Sequence, residues 1–379
     1  MELLGSLSRY ISQQLDERRF DSVEKEEFRA TLEAALLMPA FDKPIVRSEW
    51  VKEHDALRIE KLTWQVGFSL SEGYLLSPAG AQEKLPGILA LHDHAGEKFW
   101  GKSKIVDIGE ELDQSLVEHR RRYYGSRAWA NELAKRGYAV FVPDLIGFES
   151  RRIKVGELPK SLVQDLLTPP LKIVEGGTCR NDDLVLDDSL ENRVAYNALA
   201  RGLEHVIAKV LMSGGCTWAG YAAAEDLVAL DILSEHKLVD GSRLGCGGLS
   251  LGGLRSVLLS ALSPKIQASF VTGFMTTFKD LVNAKAANHT WIAYAPQLSH
   301  LGEFGDLLQS HAPKPLLVQH GRQDRLFTFS EVERSVSRIG AHYKNDPERF
   351  LFTVYDEPHL FNELMQEEVF EFFDYFFFL

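Results

Sequence analysis

The sequence contains little cysteine, with only Cys179, Cys216 and Cys246 among its 379 residues. So few thiols, without Cys-x-x-Cys spacing, exclude a disulfide framework and a cysteine-based zinc site and favour a reducing compartment. The opening segment MELLGSLSRYISQQLDERRF lacks the basic n-region, the unbroken apolar stretch and the cleavage site of a secretory signal. The sequence also contains no run of about 18 apolar residues, so it predicts no membrane span. We therefore expect a cytoplasmic protein.

Positive charge is also scarce. The 42 Lys and Arg residues are outnumbered by 54 Asp and Glu residues, which gives a formal net charge of -12, and no basic block occurs. An acidic chain of this kind repels phosphate backbones and anionic lipid surfaces, so we expect neither nucleic acid nor a membrane as a partner. A small-molecule substrate fits this composition better. Apolar residues make up 45% of the chain, enough for the core of one large domain with attachments.

The first part of the chain, residues 1–50, is predicted to be a helical extension. Apolar residues at helical spacing predict two amphipathic helices there, with Leu4, Leu7, Ile11 and Leu15 in the first and Phe28, Leu32 and Leu36 in the second. These helices either cap the body of the domain or contact another subunit. The C-terminal segment EEVFEFFDYFFFL predicts a further helix. Its residues Phe370 and Phe377 fall off the buried stripe, so we expect them to meet a partner subunit. Both ends of the chain therefore favour a homodimer.

Residues 51–379 are predicted to form a single α/β domain. Residues 57–66 and 74–77 predict short antiparallel edge strands, after which apolar strands alternate with helices to the C-terminus. Such alternation predicts a doubly wound, mostly parallel sheet whose functional site lies at the carboxyl ends of the strands. Two stretches, 145–197 and 273–314, interrupt the alternation, and we expect both to form walls of a pocket.

The stretch 145–197 contains a dense acidic turn. It lacks the alternating ligand spacing and the central glycine of a calcium loop, so we interpret it as a solvated turn rather than a metal site. Its carboxylates are Asp182, Asp183, Asp187 and Asp188.

The strongest motif is Gly248-Leu249-Ser250-Leu251-Gly252, a GxSxG sequence between the apolar strand RLGCG and the helical run GLRSVLLSALS. A strand, a sharp turn and a helix in this order form a nucleophile elbow, in which the glycines leave room for a tight reversal. The turn would expose the hydroxyl of Ser250 at the edge of the sheet. Leu251 would begin the helix, where its backbone N–H and the helix dipole favour a developing oxyanion.

Two further residues follow in the order serine, acid, histidine that this architecture requires. Asp324 follows the apolar strand PLLVQ, and His359 follows the strand FLFTVY. A serine hydroxyl is a weak nucleophile at neutral pH, so His359 would accept the proton of Ser250 and return it to the leaving alcohol. Asp324 would orient the imidazole and stabilise its protonated form.

The loop LHDHAGEKFWGKSK, after a predicted strand, is the expected source of a second oxyanion donor, which we assign to the backbone N–H of His94. His92 and His94 are the alternative as metal ligands. We identify no third ligand for them, so we predict no metal. Trp100, His289 and Trp291 are candidates for lining the substrate pocket, with burial in the core as the alternative for each.

The motifs GCGGLSLGGLRS, NHTW, HGRQDRLF and EPHLFNELMQEE, preceded by HDHAGEKFWGK and SRAWANELAKRGYAVFVPD, resemble those of the α/β-hydrolase superfamily. Within it, the chain from about residue 57 to its C-terminus is similar to bacterial dienelactone-hydrolase-like esterases, often described as acetyl xylan esterases. The resemblance implies an eight-stranded α/β-hydrolase sheet, no cofactor, and the triad roles of Ser250, Asp324 and His359. Dienelactone hydrolases use a cysteine nucleophile, so the serine at this position argues against a lactone substrate.

We therefore predict a serine carboxylic ester hydrolase, with acetyl esters as one candidate substrate class, that acts through an acyl-enzyme on Ser250. Two alternatives stay open. A prolyl-oligopeptidase-like serine peptidase shares the elbow and the order of the triad, although such enzymes normally carry a propeller domain for which this chain has no room. A non-catalytic binding protein on a hydrolase scaffold would keep the fold, but a fluorophosphonate probe would not label its Ser250.

Overall fold

The fold is built around one mixed sheet. The computed structural model describes residues 2–17, 24–167 and 189–379, so Cys179 and the acidic turn with Asp182, Asp183, Asp187 and Asp188 lie outside the described residues. The strands are β1 (Val46–His54), β2 (Leu57–Val66), β3 (Ser69–Pro78), β4 (Leu85–Leu91), β5 (Ala139–Pro143), β6 (Val239–Leu249), β7 (Ile266–Thr272), β8 (Leu316–Gly321) and β9 (Phe350–Tyr355). They pair in the order β1-β2-β3-β5-β4-β6-β7-β8-β9.

Helices cover both faces of this sheet. They are α1 (Ser6–Asp16), α2 (Lys25–Leu36), α3 (Gln114–Tyr123), α4 (Trp129–Lys135), α5 (Lys160–Leu167), α6 (Arg193–Ser213), α7 (Trp218–Glu235), α8 (Leu251–Leu262), the single turn α9 (Phe278–Asp280), α10 (Phe329–His342) and α11 (Glu363–Phe378). Helices α2, α7, α8 and α10 share one apolar core, and α4 and α11 form another with the opposite face. None of the helices in the described ranges combines the length and apolar character needed to cross a membrane.

The direction of the strands confirms the predicted fold class. Strands β4 to β9 run parallel to one another, whereas β1, β2 and β3 form an antiparallel meander that pairs with β5. The sequence predicted eight strands, and the described residues form nine. The additional strand is β1, whose side chains are exposed or half-buried along its whole length, so no apolar alternation marked it. It also places residues 46–50, predicted as part of the extension, in the sheet.

The two N-terminal helices differ in the face that they turn toward the domain, which is apolar in α2 and polar in α1. Phe28 and Leu36 of α2 are buried in the core beside α7 and α8. Helix α1 instead turns its serines inward, and Ser8 Oγ donates a hydrogen bond to the carbonyl of Val282 at 2.8 Å. Its apolar stripe faces outward, with Leu7 56% exposed. The apolar spacing thus predicted both helices, but α1 covers the domain with its polar side.

The C-terminal helix α11 is buried more widely than its spacing predicted. Phe370 and Phe377 are 1% and 8% exposed. The guanidinium of Arg136 lies 5.7 Å from the centre of the Phe370 ring, and the ring of Tyr138 lies 6.4 Å from that of Phe377. Because the turn between α4 and β5 covers this second side of α11, the expectation that these two rings meet a partner subunit is wrong.

Candidate active site

The centre of the candidate site is the turn between β6 and α8. Ser250 stands between them with φ 61° and ψ -113°, a conformation that costs a non-glycine residue free energy and recurs in nucleophile elbows. A Cβ atom on Gly248 or Gly252 would lie 2.0 or 2.1 Å from the carbonyl oxygen of Leu91 in β4. Only glycine at both positions therefore lets the turn approach β4 so closely. The turn is also fixed by the N–H of Ser250, which donates to the carbonyl of Thr272 at 2.8 Å.

The loops after β8 and β9 bring an aspartate and a histidine together. The Nδ1 atom of His359 lies 2.6 Å from Oδ2 of Asp324, and the other carboxylate oxygen accepts the N–H of Leu326 at 2.8 Å. Burial alone would raise the pKa of Asp324, but the hydrogen bond from His359 and the N–H of Leu326 outweigh it and lower that pKa. An ionised Asp324 accepts the Nδ1 proton of His359, which leaves Nε2 as the nitrogen that can act as a base.

The structure places Ser250 and His359 on the wall of one cavity of about 530 Å³. The imidazole reaches this wall across Gly273, directly after β7. A Cβ atom on Gly273 would lie 3.2 Å from Cε1 of His359 and 3.0 Å from Cδ1 of Leu249, the residue before the serine. Glycine here leaves space for the imidazole beside the turn, so three residues from separate strand ends converge at one edge of the sheet.

The loop after β4 forms another part of the wall through His94. The N–H of Gly96 donates to Nδ1 of His94 at 2.9 Å, so the ring proton is on Nε2, which donates to Glu204 Oε1 at 2.6 Å. Lys98 Nζ lies 2.8 Å from the same carboxylate oxygen. Burial alone would raise the pKa of Glu204, but His94 and Lys98 outweigh it and lower that pKa to about 2. Burial lowers the pKa of His94, so its ring is neutral and held in place by Glu204.

Leu251 also borders the cavity and is the first residue of α8. A backbone N–H in the first turn of a helix has no intrahelical acceptor, so it is available to an oxygen atom that lies beyond the helix end. Leu251 and His94, the two residues predicted to supply oxyanion donors, therefore border the same cavity as Ser250.

The three predicted lining residues differ in position. His289 lies on the cavity wall, where its Nε2 donates to the carbonyl of Leu326 at 3.1 Å. Trp100 lies on a separate cavity, because its indole N–H donates to Ser115 Oγ at 2.9 Å and turns the ring toward α3. Trp291 lies on a neighbouring cavity of about 300 Å³ with Trp218 of α7. The prediction that Trp100 and Trp291 line the pocket of Ser250 is therefore wrong.

Helix α6 supplies residues of the wall that the sequence did not indicate. Arg201 and Glu204 lie one turn apart on it and both face the cavity. Their spacing of three residues predicts a shared helical face, but no pattern in the sequence shows that this face turns toward Ser250. The stretch 273–314 lines the cavity with Phe274 and residues 287–290, as expected for a pocket wall. The described residues of 145–197 do not line it.

The histidine pair in the loop after β4 does not converge on one point. His92 Nδ1 donates to the carbonyl of Asp93 at 3.0 Å, and its Nε2 accepts the N–H of Leu145 at 3.4 Å. His94 turns toward Glu204 instead. Over the described ranges, no group of three or more His, Cys, Asp or Glu side chains is arranged to hold a metal ion.

Comparison with known proteins agrees with this architecture. The chain is 21% identical over 295 residues to "Putative hydrolase YtaP" of Bacillus subtilis (strain 168), covering 77% of this chain and 79% of that protein. No model of a protein family matches the chain.

Solved structures show the same fold at low sequence identity. A "putative acetyl xylan esterase" from Bacteroides fragilis NCTC 9343 superposes with a TM-score of 0.66 at 15% identity, covering 91% of this chain and 81% of that one. A glucuronoyl esterase from Solibacter usitatus gives 0.56 at 14% identity, covering 91% of both chains. An acetyl xylan esterase from Paenibacillus sp. R4 gives 0.52 at 13% identity, covering 96% and 98%. The chain therefore shares its fold with these esterases, and the motifs predicted a fold of this class.

Proposed function

We propose that the protein is a serine carboxylic ester hydrolase that acts through an acyl-enzyme on Ser250. One observation carries this proposal. Ser250 stands at a sharp turn in the wall of a cavity, and the imidazole of His359, bound to Asp324 at 2.6 Å, borders the same cavity. A nucleophile, a base and a group that orients the base are the parts that acyl transfer requires.

The proposed reaction runs in two half-reactions. His359 Nε2 takes the hydroxyl proton of Ser250 while Oγ attacks the ester carbonyl, and the N–H groups of Leu251 and His94 bind the resulting oxyanion. Collapse breaks the bond to the leaving alcohol, which takes the proton from Nε2, and leaves an acyl group on Oγ. Water then loses a proton to Nε2 and attacks the acyl carbonyl. The second collapse returns the proton to Ser250 and releases the acid.

We propose a short acyl group, such as acetyl, on a polar alcohol as the substrate. Beside Ser250 the wall contains Leu254, Phe274 and Ala293, which suit a small apolar group, whereas Lys98 and Arg201 suit a hydrophilic one. The acetyl xylan esterases that share this fold are named for substrates of this kind. Rates on p-nitrophenyl acetate, butyrate and octanoate should fall with chain length, and a higher rate on octanoate than on acetate would refute the acyl preference.

The central test compares wild type with Ser250→Ala on p-nitrophenyl acetate and on acetylated sugars. We expect Ser250→Ala to lose ester turnover, because the nucleophile is missing, and to lose labelling by a fluorophosphonate probe. Ser256→Ala is the matched control, since this hydroxyl lies on the same helix but against Cys246 Sγ, at 3.5 Å. Parent-rate hydrolysis by Ser250→Ala would overturn the proposal, and activity on peptide p-nitroanilides with none on esters would favour a peptidase.

We also propose a homodimer formed through α1. Its outer face presents Leu7 and Tyr10, which are 56% and 58% exposed, and Leu4, in the turn just before the helix, is 65% exposed. Adjacent exposed apolar side chains of this kind mark interaction surfaces. Light scattering should give twice the mass of one chain for the wild type and the mass of one chain for Leu7→Lys. A monomeric wild type would contradict this assignment.

A cytoplasmic location is part of the same proposal. It is supported by Cys216 and Cys246, which are free thiols in the described chain, as expected in a reducing compartment. Fractionation of the cells that produce the protein would test it, and recovery outside the cytoplasm would refute it.

A further inference from the structure

Behind the loop that contains His94 lies a lysine that the proposed mechanism does not use. The side chain of Lys104 is 0% exposed. Its Nζ donates to the carbonyl oxygens of Asp93 at 2.9 Å and of His94 at 3.1 Å. The same ammonium lies 5.1 Å from the centre of the Phe148 ring and 3.6 Å from Oδ2 of Asp93. A buried cation is therefore bound to two successive carbonyl groups of one loop.

Because of the geometry of the peptide bond, this contact also determines the direction of the N–H groups on the opposite side of the loop. In a trans peptide the C=O of one residue and the N–H of the next point in opposite directions. Lys104 holds the carbonyls of Asp93 and His94, so the N–H groups of His94 and Ala95 point away from it. Both residues border the cavity of Ser250. Neither N–H has a hydrogen-bond acceptor in the described part of the chain.

The backbone of this loop is also strained. Ala95 has φ 44° and Gly96 has φ 72°, so two successive residues occupy the left-handed region. Such a conformation persists where surrounding contacts fix it. The ring of His92 binds the carbonyl of Asp93 alone, and the N–H of Glu97 binds the carbonyl of His94 alone, at 3.1 Å. Lys104 joins the two peptides and fixes their relative orientation.

We propose that Lys104 is a positioning residue for the oxyanion site. It directs the N–H groups of His94 and Ala95 into the cavity, and its charge polarises both peptides through their carbonyls, which makes each N–H a stronger donor. The loop thereby supplies two adjacent N–H groups, those of His94 and Ala95, where the sequence analysis assigned His94 alone. This inference rests on the proposed ester hydrolysis at Ser250.

Removal of Lys104 should affect the transition state more than the bound substrate. In Lys104→Met the side chain keeps its length and loses its donors and charge, so the loop can rotate its N–H groups away. We expect kcat on p-nitrophenyl acetate to fall about 10- to 100-fold, somewhat less than the loss of one oxyanion donor, with KM changed by less than about twofold. Rates are expressed per site labelled by a fluorophosphonate, so that unfolded protein does not count.

A second measurement makes the test independent of folding. In the thionoester analogue of p-nitrophenyl acetate, sulfur replaces the carbonyl oxygen and is a poorer hydrogen-bond acceptor, so an enzyme with a formed oxyanion site prefers the oxygen ester. The ratio of kcat/KM for the two substrates is measured on one preparation. We expect it to fall in Lys104→Met and to fall less in Lys104→Gln, which can still donate to one carbonyl.

Lys102→Met is the matched control. Lys102 is also buried, but its ammonium binds Asp144 Oδ2 at 2.7 Å and Glu149 Oε1 at 2.6 Å rather than loop carbonyls. Lys102→Met should lower stability and leave unchanged the ratio of kcat/KM for the oxygen ester and the thionoester. An unchanged ratio in Lys104→Met, or a raised KM with parent kcat, would overturn the role of Lys104. Turnover retained in Ser250→Ala would instead refute the serine mechanism itself.

Discussion

His359 Nδ1 lies 2.6 Å from Asp324 Oδ2, although the two residues are 35 positions apart in the chain. They meet because β8 and β9 are parallel neighbours, so the loops that follow them emerge at the same edge of the sheet. The contact fixes the ring tautomer and leaves Nε2 free to face the cavity that Ser250 borders. Asp324, which is not among the residues that line this cavity, thus determines which ring nitrogen of His359 stays free of it.

The first prediction concerns this contact. In Asp324→Asn the amide can donate to Nδ1, which places the imidazole proton on Nε2 and removes the base. We expect kcat on p-nitrophenyl acetate to fall about 10⁴-fold, with little change in KM or in the unfolding midpoint. Asp356→Asn, an exposed position in the loop that carries His359, is the control and should keep parent activity. Parent kcat in Asp324→Asn would contradict the triad.

The second prediction concerns the turn at Ser250. Gly252→Ala would place Cβ 2.1 Å from the carbonyl oxygen of Leu91, and since that atom is backbone, β4 or α8 must move. We expect a loss of about 3 kcal/mol or more in the free energy of unfolding, measured with urea, together with loss of activity. Gly156→Ala is the control, because a Cβ there meets no atom within 4 Å. Equal stability of the two variants would show that the turn is not as tight as described.

The third prediction concerns acid stability. Burial lowers the pKa of His311 to about 3 and that of His320 to about 4, whereas in the unfolded chain a histidine titrates near 6.5. Between these values the unfolded state binds more protons, so the free energy of unfolding falls as the pH drops below about 6.5. Each histidine should contribute a slope of about 1.4 kcal/mol per pH unit, or about 2 kcal/mol at pH 5.

This slope can be measured by urea unfolding at pH 7, 6 and 5. His311→Gln should reduce it by the share of one histidine, because glutamine does not titrate. His300→Gln, at an exposed position, is the control. A slope in His311→Gln equal to that of the wild type would refute the buried neutral state of His311.

The fourth prediction concerns the buried ion pair between α7 and α8. Arg255 of α8 binds Asp226 of α7 through two hydrogen bonds of 2.9 and 2.6 Å, and both side chains are almost fully buried. Arg255→Met leaves a buried carboxylate without its partner, so we expect a loss of about 3 to 5 kcal/mol in the free energy of unfolding. The double variant Arg255→Met with Asp226→Leu should recover most of that loss. A double variant no more stable than the single one would contradict this account.

The local part of the site was predictable from contiguous residues. A strand, a GxSxG turn and a helix stand side by side in the sequence, so the position of Ser250 and the start of α8 follow from short-range geometry. Asp324 and His359 were found because each follows an apolar strand, and parallel strands end at one edge of a sheet. The fold class followed from the alternation of strands and helices in the same way.

The remainder depended on tertiary packing. Leu4 and Leu7 form an apolar stripe that the structure turns outward, and Trp100 and Trp291 lie on other cavities than Ser250. Helix α6 places Glu204 beside His94, 110 residues away, and Lys104 reaches carbonyls behind the loop. Sequence spacing shows which residues share one face of an element, and so it determined most of the elements and the order of Ser250, Asp324 and His359 along the strands. Which face meets which neighbour depends on how distant segments pack, so only the tertiary structure decided the walls of the site.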